Sequence, residues 1–124
     1  MDILLFTEDH LLTDVLRIAL GGTYRVRRAT TERRLFTTLA CKQVGAVVLD
    51  VRCADAADMC VRLHAFTDAA VIAIARTDAT DERVQLLRAG ADEALARSYR
   101  LAELVARLQA KLRRAAIERQ HLAA

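Results

Sequence analysis

The stretch GAVVLDVR, residues 45–52, decides how the rest of the chain is read. An apolar run from Ala46 to Leu49 leads straight into the carboxylate of Asp50. So short a run suits a strand buried on both faces better than a helix. A carboxylate that ends a buried strand must reach water, a cation or a hydrogen-bond donor, because an unpaired buried charge is expensive. What Asp50 meets depends on where the other strands end.

Outward from this segment, apolar runs alternate with helical patterns along the whole chain. Residues 2–7 (DILLFT) predict a strand, and 10–20 (HLLTDVLRIAL) a helix stopped by Gly21 and Gly22. Residues 24–29 (YRVRRA) predict a charged strand, and 31–42 a helix with Leu35, Phe36 and Leu39 on one face. After the third strand, 55–65 predicts a helix with Met59 and Leu63 spaced by four. AVIAIA (70–75) is a second wholly apolar strand, followed by a helix over 79–89 that carries Val84 and Leu87 and stops at Gly90. A short strand over 91–96 (ADEALA) precedes a last helix from Leu101 that buries Leu101, Leu104, Val105, Leu108 and Leu112.

Regular β-α alternation argues for a parallel sheet with helices on both faces. Five strands in 124 residues fit a flavodoxin-like, doubly wound (βα)5 sandwich with strand order 2-1-3-4-5. Strands 1, 3 and 4 are the most apolar and belong in the centre. Strand 2, with Arg25, Arg27 and Arg28, suits an exposed edge.

Composition narrows the class. With 54% hydrophobic and 28% charged residues, the chain is a single folded domain rather than a disordered one. No apolar run reaches the length of a membrane span, and MDILLFTED carries no basic region followed by a cleavage site, so a cytoplasmic protein without membrane contact is expected. Cys41, Cys53 and Cys60 match no zinc spacing and are expected as reduced thiols. From Arg97 to Gln120 seven basic residues face two acids. That basic helix is either a solvated face or a nucleic-acid contact. The five aromatic residues are scattered and form no base-stacking platform.

In such sheets the working crevice lies beyond the carboxyl ends of the strands, where the winding reverses between strands 1 and 3. Glu8 and Asp9 follow strand 1 and Asp50 ends strand 3, so three carboxylates are expected to share a shallow pocket. Crowded like charges favour an intervening cation, and few hard oxygen ligands open to water suit Mg²⁺. The competing expectation is that Glu8 or Asp9 caps the first helix.

At this point the chain resembles a response-regulator receiver domain of the OmpR/PhoB type. The resemblance rests on ILLFTEDHLLTDVL, GAVVLD, AVIAIARTDATDERVQLLRAGADEALA and LAELVARLQAKLRR. It implies that residues 1–116 form the receiver, and that 117–124 begin a linker to a C-terminal winged-helix DNA-binding domain absent from this chain. It implies Asp50 as phosphoacceptor for a histidine kinase, with Mg²⁺ held by Glu8, Asp9, Asp50 and the backbone carbonyl of Arg52. No catalytic residue, and no enzyme, is implied.

The departures from the family are specific. The Thr or Ser that ends its fourth strand is Ala75 here, and its fifth-strand aromatic is Ala94. Its Lys-Pro pair is Arg97-Ser98, in a chain without proline, and its PGxxG turn is ADAAD at 54–58. Thr77 lies two residues too late to replace the missing hydroxyl unless the loop shifts. Arg97 keeps the charge without the point-like ammonium geometry, and either holds Asp50 in a standing ion pair or points into solvent.

The resemblance further implies homodimerisation through helix 4, strand 5 and helix 5. Its positions carry Arg83, Asp92, Glu93, Glu103, Arg107 and Arg114, with Leu87 and Leu95 as the apolar centre. The function expected first is an atypical receiver that controls a transcriptional regulator by dimerisation, with little dependence on phosphate. A conventional phospho-Asp50 receiver with Arg97 replacing Lys is the second. A flavodoxin-like nucleotide binder or enzyme is the third. It is disfavoured because TEDH, at the first strand-helix turn, would repel a phosphate, and because His10, His64 and His121 have no evident partner.

Overall fold

The computed structural model describes residues 1–53 and 55–123, with the side chains of Cys53, Leu122 and Ala123 outside the described set. Strands and helices alternate as β1 (Asp2–Phe6), α1 (His10–Leu20), β2 (Arg25–Ala29), α2 (Glu32–Cys41), β3 (Val44–Asp50), α3 (Ala56–Phe66), β4 (Ala70–Ile74), α4 (Thr80–Arg88), β5 (Glu93–Leu95) and α5 (Leu101–Ala123). All neighbouring strands run parallel, in the order β2-β1-β3-β4-β5. This is the doubly wound arrangement that the alternation predicts.

Period-two alternation sends each central strand's side chains into two separate cores. Ile3, Leu5, Ala46, Val48, Ile72, Ile74 and Leu95 pack under α1 and α5, against Leu12, Leu16, Leu20, Leu104, Leu108 and Leu112. Leu4, Phe6, Val47, Leu49, Val71 and Ala73 face α2, α3 and α4, against Leu35, Met59, Cys60, Leu63 and Leu86. β2 lies at the sheet edge, where Arg27 Nε pairs with Asp2 Oδ2 across the β1–β2 ladder at 2.6 Å.

Several burial expectations are corrected. Leu101, expected in the core, is 37% exposed because α5 opens there and its inward face begins at Leu104. On α4 the buried leucine is Leu86, while Leu87, one residue and about 100° further round the helix, is 46% exposed. Leu95, expected as part of an apolar surface patch, is 3% exposed and belongs to the α1/α5 core. In the short β5 it takes the same side of the sheet as Ile72 and Ile74, and its neighbour Ala94 takes the other.

Cys41 is an exposed free thiol and Cys60 a buried one. The expectation for the Cys53 thiol falls outside the described residues. Residues 117–123, expected to begin a linker, continue α5 as helix. Among the described residues no helix is long and apolar enough to cross a membrane.

Candidate functional site

Pairing of Phe6 with Leu49 brings the residues just beyond β1 beside the end of β3. Thr7, wholly buried, lies between the two acidic positions. Its hydroxyl donates to Asp50 Oδ2 at 3.2 Å and accepts the Asp9 backbone N–H at 3.1 Å. Asp9 in turn caps α1, its Oδ1 accepting from the Leu12 backbone N–H at 3.0 Å. The capping expectation therefore holds for Asp9.

Asp50 is 2% exposed and is met by donors on both oxygens. Oδ1 accepts from the Arg52 backbone N–H at 3.1 Å, from Arg52 Nε at 3.3 Å and from an Arg97 Nη at 2.8 Å. Oδ2 accepts from an Arg52 Nη at 3.1 Å and from the Thr7 hydroxyl. A carboxylate offers about four lone-pair positions, so five donors saturate it. Burial pushes the Asp50 pKa up, but the hydrogen bonds from the Arg52 and Arg97 guanidiniums outweigh it and hold the carboxyl below its ordinary value.

Arg97 thus forms the ion pair with Asp50, and it also reaches the Ile74 carbonyl at 3.4 Å. Its buried Nε has no hydrogen-bond partner among the described residues, so only part of the guanidinium fork is used. Thr7 and the Arg52 side chain are the two contributors to the site that sequence reasoning missed. A hydroxyl immediately before the acidic pair, and a cation two residues beyond the acceptor, were the signals available.

Glu8, Asp9, Asp50 and Arg52 line one cleft of about 390 Å³. The three expected carboxylates do share it. Even so, among the described residues no group of three or more His, Cys, Asp or Glu side chains is disposed to hold a metal ion. Asp50 has no acceptor position left for Mg²⁺, and one oxygen of Asp9 is committed to the helix cap. As the side chains stand, they do not fit a metal.

At the switch positions Ala75 is wholly buried, and its backbone N–H donates to the Leu95 carbonyl at 2.8 Å. Ala94 packs against the same core as Ala75. Thr77 does not turn back towards Asp50. Its hydroxyl donates to Glu82 Oε2 at 2.7 Å and accepts the Ala79 N–H at 3.2 Å, tying the β4–α4 loop to the first turn of α4.

On the α4-β5-α5 face the charged residues are partly engaged within the chain. Glu93 pairs with Arg107 at 3.1 Å and Lys111 at 3.7 Å, and Arg107 also pairs with Glu103 at 3.3 Å. Arg114 pairs with Glu118 at 3.4 Å. Asp92 Oδ2 accepts the Val71 N–H at 2.7 Å and so closes β5 onto β4. Arg83 folds onto the start of its own helix, donating to the Asp78 carbonyl at 2.8 Å and to the Thr80 hydroxyl at 3.3 Å. Leu87 remains exposed on this face, whereas Leu95 does not reach it.

A doubly wound sandwich with an acidic cleft at its switch point is the architecture of a receiver domain. No protein-family model matches the chain. Response regulator MprA of Mycolicibacterium vanbaalenii is 34% identical over 116 residues, covering 90% of this chain and 50% of the relative. The transcriptional regulatory protein QseB of Haemophilus influenzae is 34% identical over 118 residues, covering 92% and 53%. The chain thus spans about half the length of the curated relatives it matches. An atypical orphan response regulator with a phosphorylation-independent regulatory mechanism superposes with a TM-score of 0.76 at 21% identity, covering 91% of this chain and 96% of that one. The receiver domain of a sensor histidine kinase from Pseudomonas aeruginosa, with a magnesium ion coordinated in its active-site cleft, gives 0.71 at 22% identity, covering 90% and 96%. Over nearly its whole length the chain is similar to curated response regulators, and it shares the fold of solved receiver domains.

Proposed function

We propose that this receiver acts through self-association on the α4-β5-α5 face, in the cytoplasm, and depends little on phosphorylation of Asp50. The single observation behind this is the saturation of Asp50. A nucleophile needs a free lone pair directed at phosphorus, and here guanidiniums, a backbone N–H and a hydroxyl use them all. Ala75 and Ala94 support the same reading, because neither can follow a phosphoryl group with a hydroxyl or a ring. The output is control of transcription through a DNA-binding domain beyond these residues, joined by way of α5.

Self-association is attributed to the charges of α4, β5 and α5 around exposed Leu87. Ion pairs on such a surface fix orientation more than strength, each being worth about 0–1 kcal/mol. Sedimentation velocity of the unmodified protein and its variants is the test. Arg83→Asp and Glu103→Arg are expected to weaken the dimer, and Asp50→Asn to leave it intact. A monomeric Asp50→Asn beside unaffected interface variants would overturn the proposal.

A second reading keeps the phosphorylation chemistry. Glu8, Asp9 and Asp50 share one cleft, and Arg97 lies where a cation would meet a phosphoryl group. In this version a histidine kinase donates the phosphoryl group to Asp50. Intact mass after incubation with Mg²⁺ and a small acyl phosphate separates the two. An adduct in the unmodified protein that is absent from Asp50→Asn supports the second reading, and no adduct in either supports the first.

A further inference from the structure

We infer that the Arg52 guanidinium is the cleft's own cation, standing on the Asp50 acceptor positions through which a divalent metal would be held. The unmodified protein is then a poor Mg²⁺ binder although it keeps all three acids. This deepens the reading that the receiver works without phosphate and rests on it.

The geometry is a fork. Arg52 Nε lies 3.3 Å from Asp50 Oδ1 and its Nη lies 3.1 Å from Oδ2, so one planar group spans both carboxylate oxygens. The Arg52 backbone N–H adds a third bond, to Oδ1 at 3.1 Å. Fork-on-carboxylate pairs are among the stronger charge-assisted hydrogen bonds. The short tether adds to this, because a cation two residues from its partner pays almost no association entropy, whereas a metal from solution pays it in full.

The charge balance points the same way. Glu8, Asp9 and Asp50 supply three negative charges, and Arg52 and Arg97 return two. Arg76 adds another guanidinium close by, hydrogen-bonded to the Val51 carbonyl at 3.4 Å. A cleft so nearly neutral attracts a dication weakly. Losing the Arg52 side chain would leave three donors on Asp50 and free an acceptor position on Oδ2, beside Glu8 and the second oxygen of Asp9, while the Arg97 and Thr7 contacts hold the carboxylate in place. The Arg52 side chain is 54% exposed at the cleft mouth, so it can be removed without opening the core.

The test is binding of Mn²⁺, read by water-proton relaxation and competed with Mg²⁺, in the unmodified protein, Arg52→Ala, Arg52→Lys and the Arg52→Ala/Asp50→Asn double variant. Arg52→Ala is expected to bind at least about tenfold more tightly than the unmodified protein, within the range by which metal-site neighbours change affinity. Arg52→Lys, which keeps a cation, is expected to stay near the unmodified protein, and the double variant to lose the gain. Equal binding by the unmodified protein and Arg52→Ala, at any strength, would overturn the inference. So would a gain in Arg52→Lys as large as in Arg52→Ala, or a gain that survives Asp50→Asn. Metal binding and sedimentation are separate readouts. Phosphate-dependent dimerisation would sink the proposed function without touching the Mn²⁺ result, and equal Mn²⁺ binding would sink the inference without touching the dimer.

Discussion

A guanidinium nitrogen of Arg97 lies 2.8 Å from Asp50 Oδ1, joining two residues that stand 47 positions apart in the chain. The same segment is fastened twice more. The Arg97 backbone N–H donates to the Thr77 carbonyl at 3.2 Å, and the Ser98 N–H to Asp78 Oδ1 at 2.8 Å. The end of β3, the β4–α4 loop and the β5–α5 loop are thereby held as one piece. One ion pair and two backbone N–H donors make these ties.

Removing the strap should cost stability. Arg97→Ala leaves Asp50 buried with Arg52 still in place, and Arg97 is itself about a quarter exposed. The loss is therefore expected at about 1–2 kcal/mol, below the 3–5 typical of breaking a fully buried pair. Urea unfolding followed by circular dichroism measures it, and an unchanged midpoint would mean that Arg52 alone carries Asp50.

Asp50 should also leave a mark on acid stability. Its folded-state pKa is lowered: burial acts to raise it, and the hydrogen bonds from Arg52 and Arg97 outweigh burial. An unfolded Asp titrates near ~3.9, so as the pH falls the unfolded chain takes up this proton first. The stabilisation is complete above about pH 5 and is lost as the pH falls through the unfolded value and then the lower folded-state value. Urea midpoints between pH 7 and pH 3 should thus fall more steeply in the unmodified protein than in Asp50→Asn. Parallel curves would mean that Asp50 titrates alike in both states.

Thr7→Val keeps the shape at Thr7 while removing its hydroxyl. Asp50 Oδ2 loses one donor, and the Asp9 N–H loses its acceptor just before α1. The expected cost is about 1–2 kcal/mol, with Thr7→Ser close to the unmodified protein. Thermal unfolding of the two variants side by side separates hydrogen bonding from packing.

Gly90, at the end of α4, has φ +120°, outside the range side-chain-bearing residues favour. A Cβ there would also sit 2.8 Å from the His64 Cβ and 3.3 Å from the Cys60 carbonyl oxygen. Gly90→Ala is expected to destabilise by about 2 kcal/mol, combining backbone strain with a clash against α3. A midpoint within error of the unmodified protein would mean that the α4–β5 turn can move at little cost.

Most of the fold was legible because each central strand is a short apolar run and each helix carries its own spaced apolar face. The arginines of β2 also marked the sheet edge. What stayed hidden had no local pattern. Leu95 ends a three-residue strand, too short for alternation to say which face it takes. Leu86 and Leu87 are adjacent and equally apolar, so only the packing of α4 decides between them. In the site, the acids and Arg97 stood out as charges at strand ends. Thr7 did not, because a single threonine also suits a strand or a turn. The Arg52 side chain was set by the turn Val51–Cys53, whose direction the sequence does not encode separately.

Among the described residues the last buried leucine of α5 is Leu112, and the helix runs on to Ala123, about 16 Å further at ~1.5 Å per residue. A helix of that kind transmits rotation as well as distance. Each residue added or removed between Leu112 and Ala123 would swing any attached domain by about 100° around the helix axis. In the proposed dimer, the number of residues between Leu112 and Ala123 would set the angular phase of any attached domain.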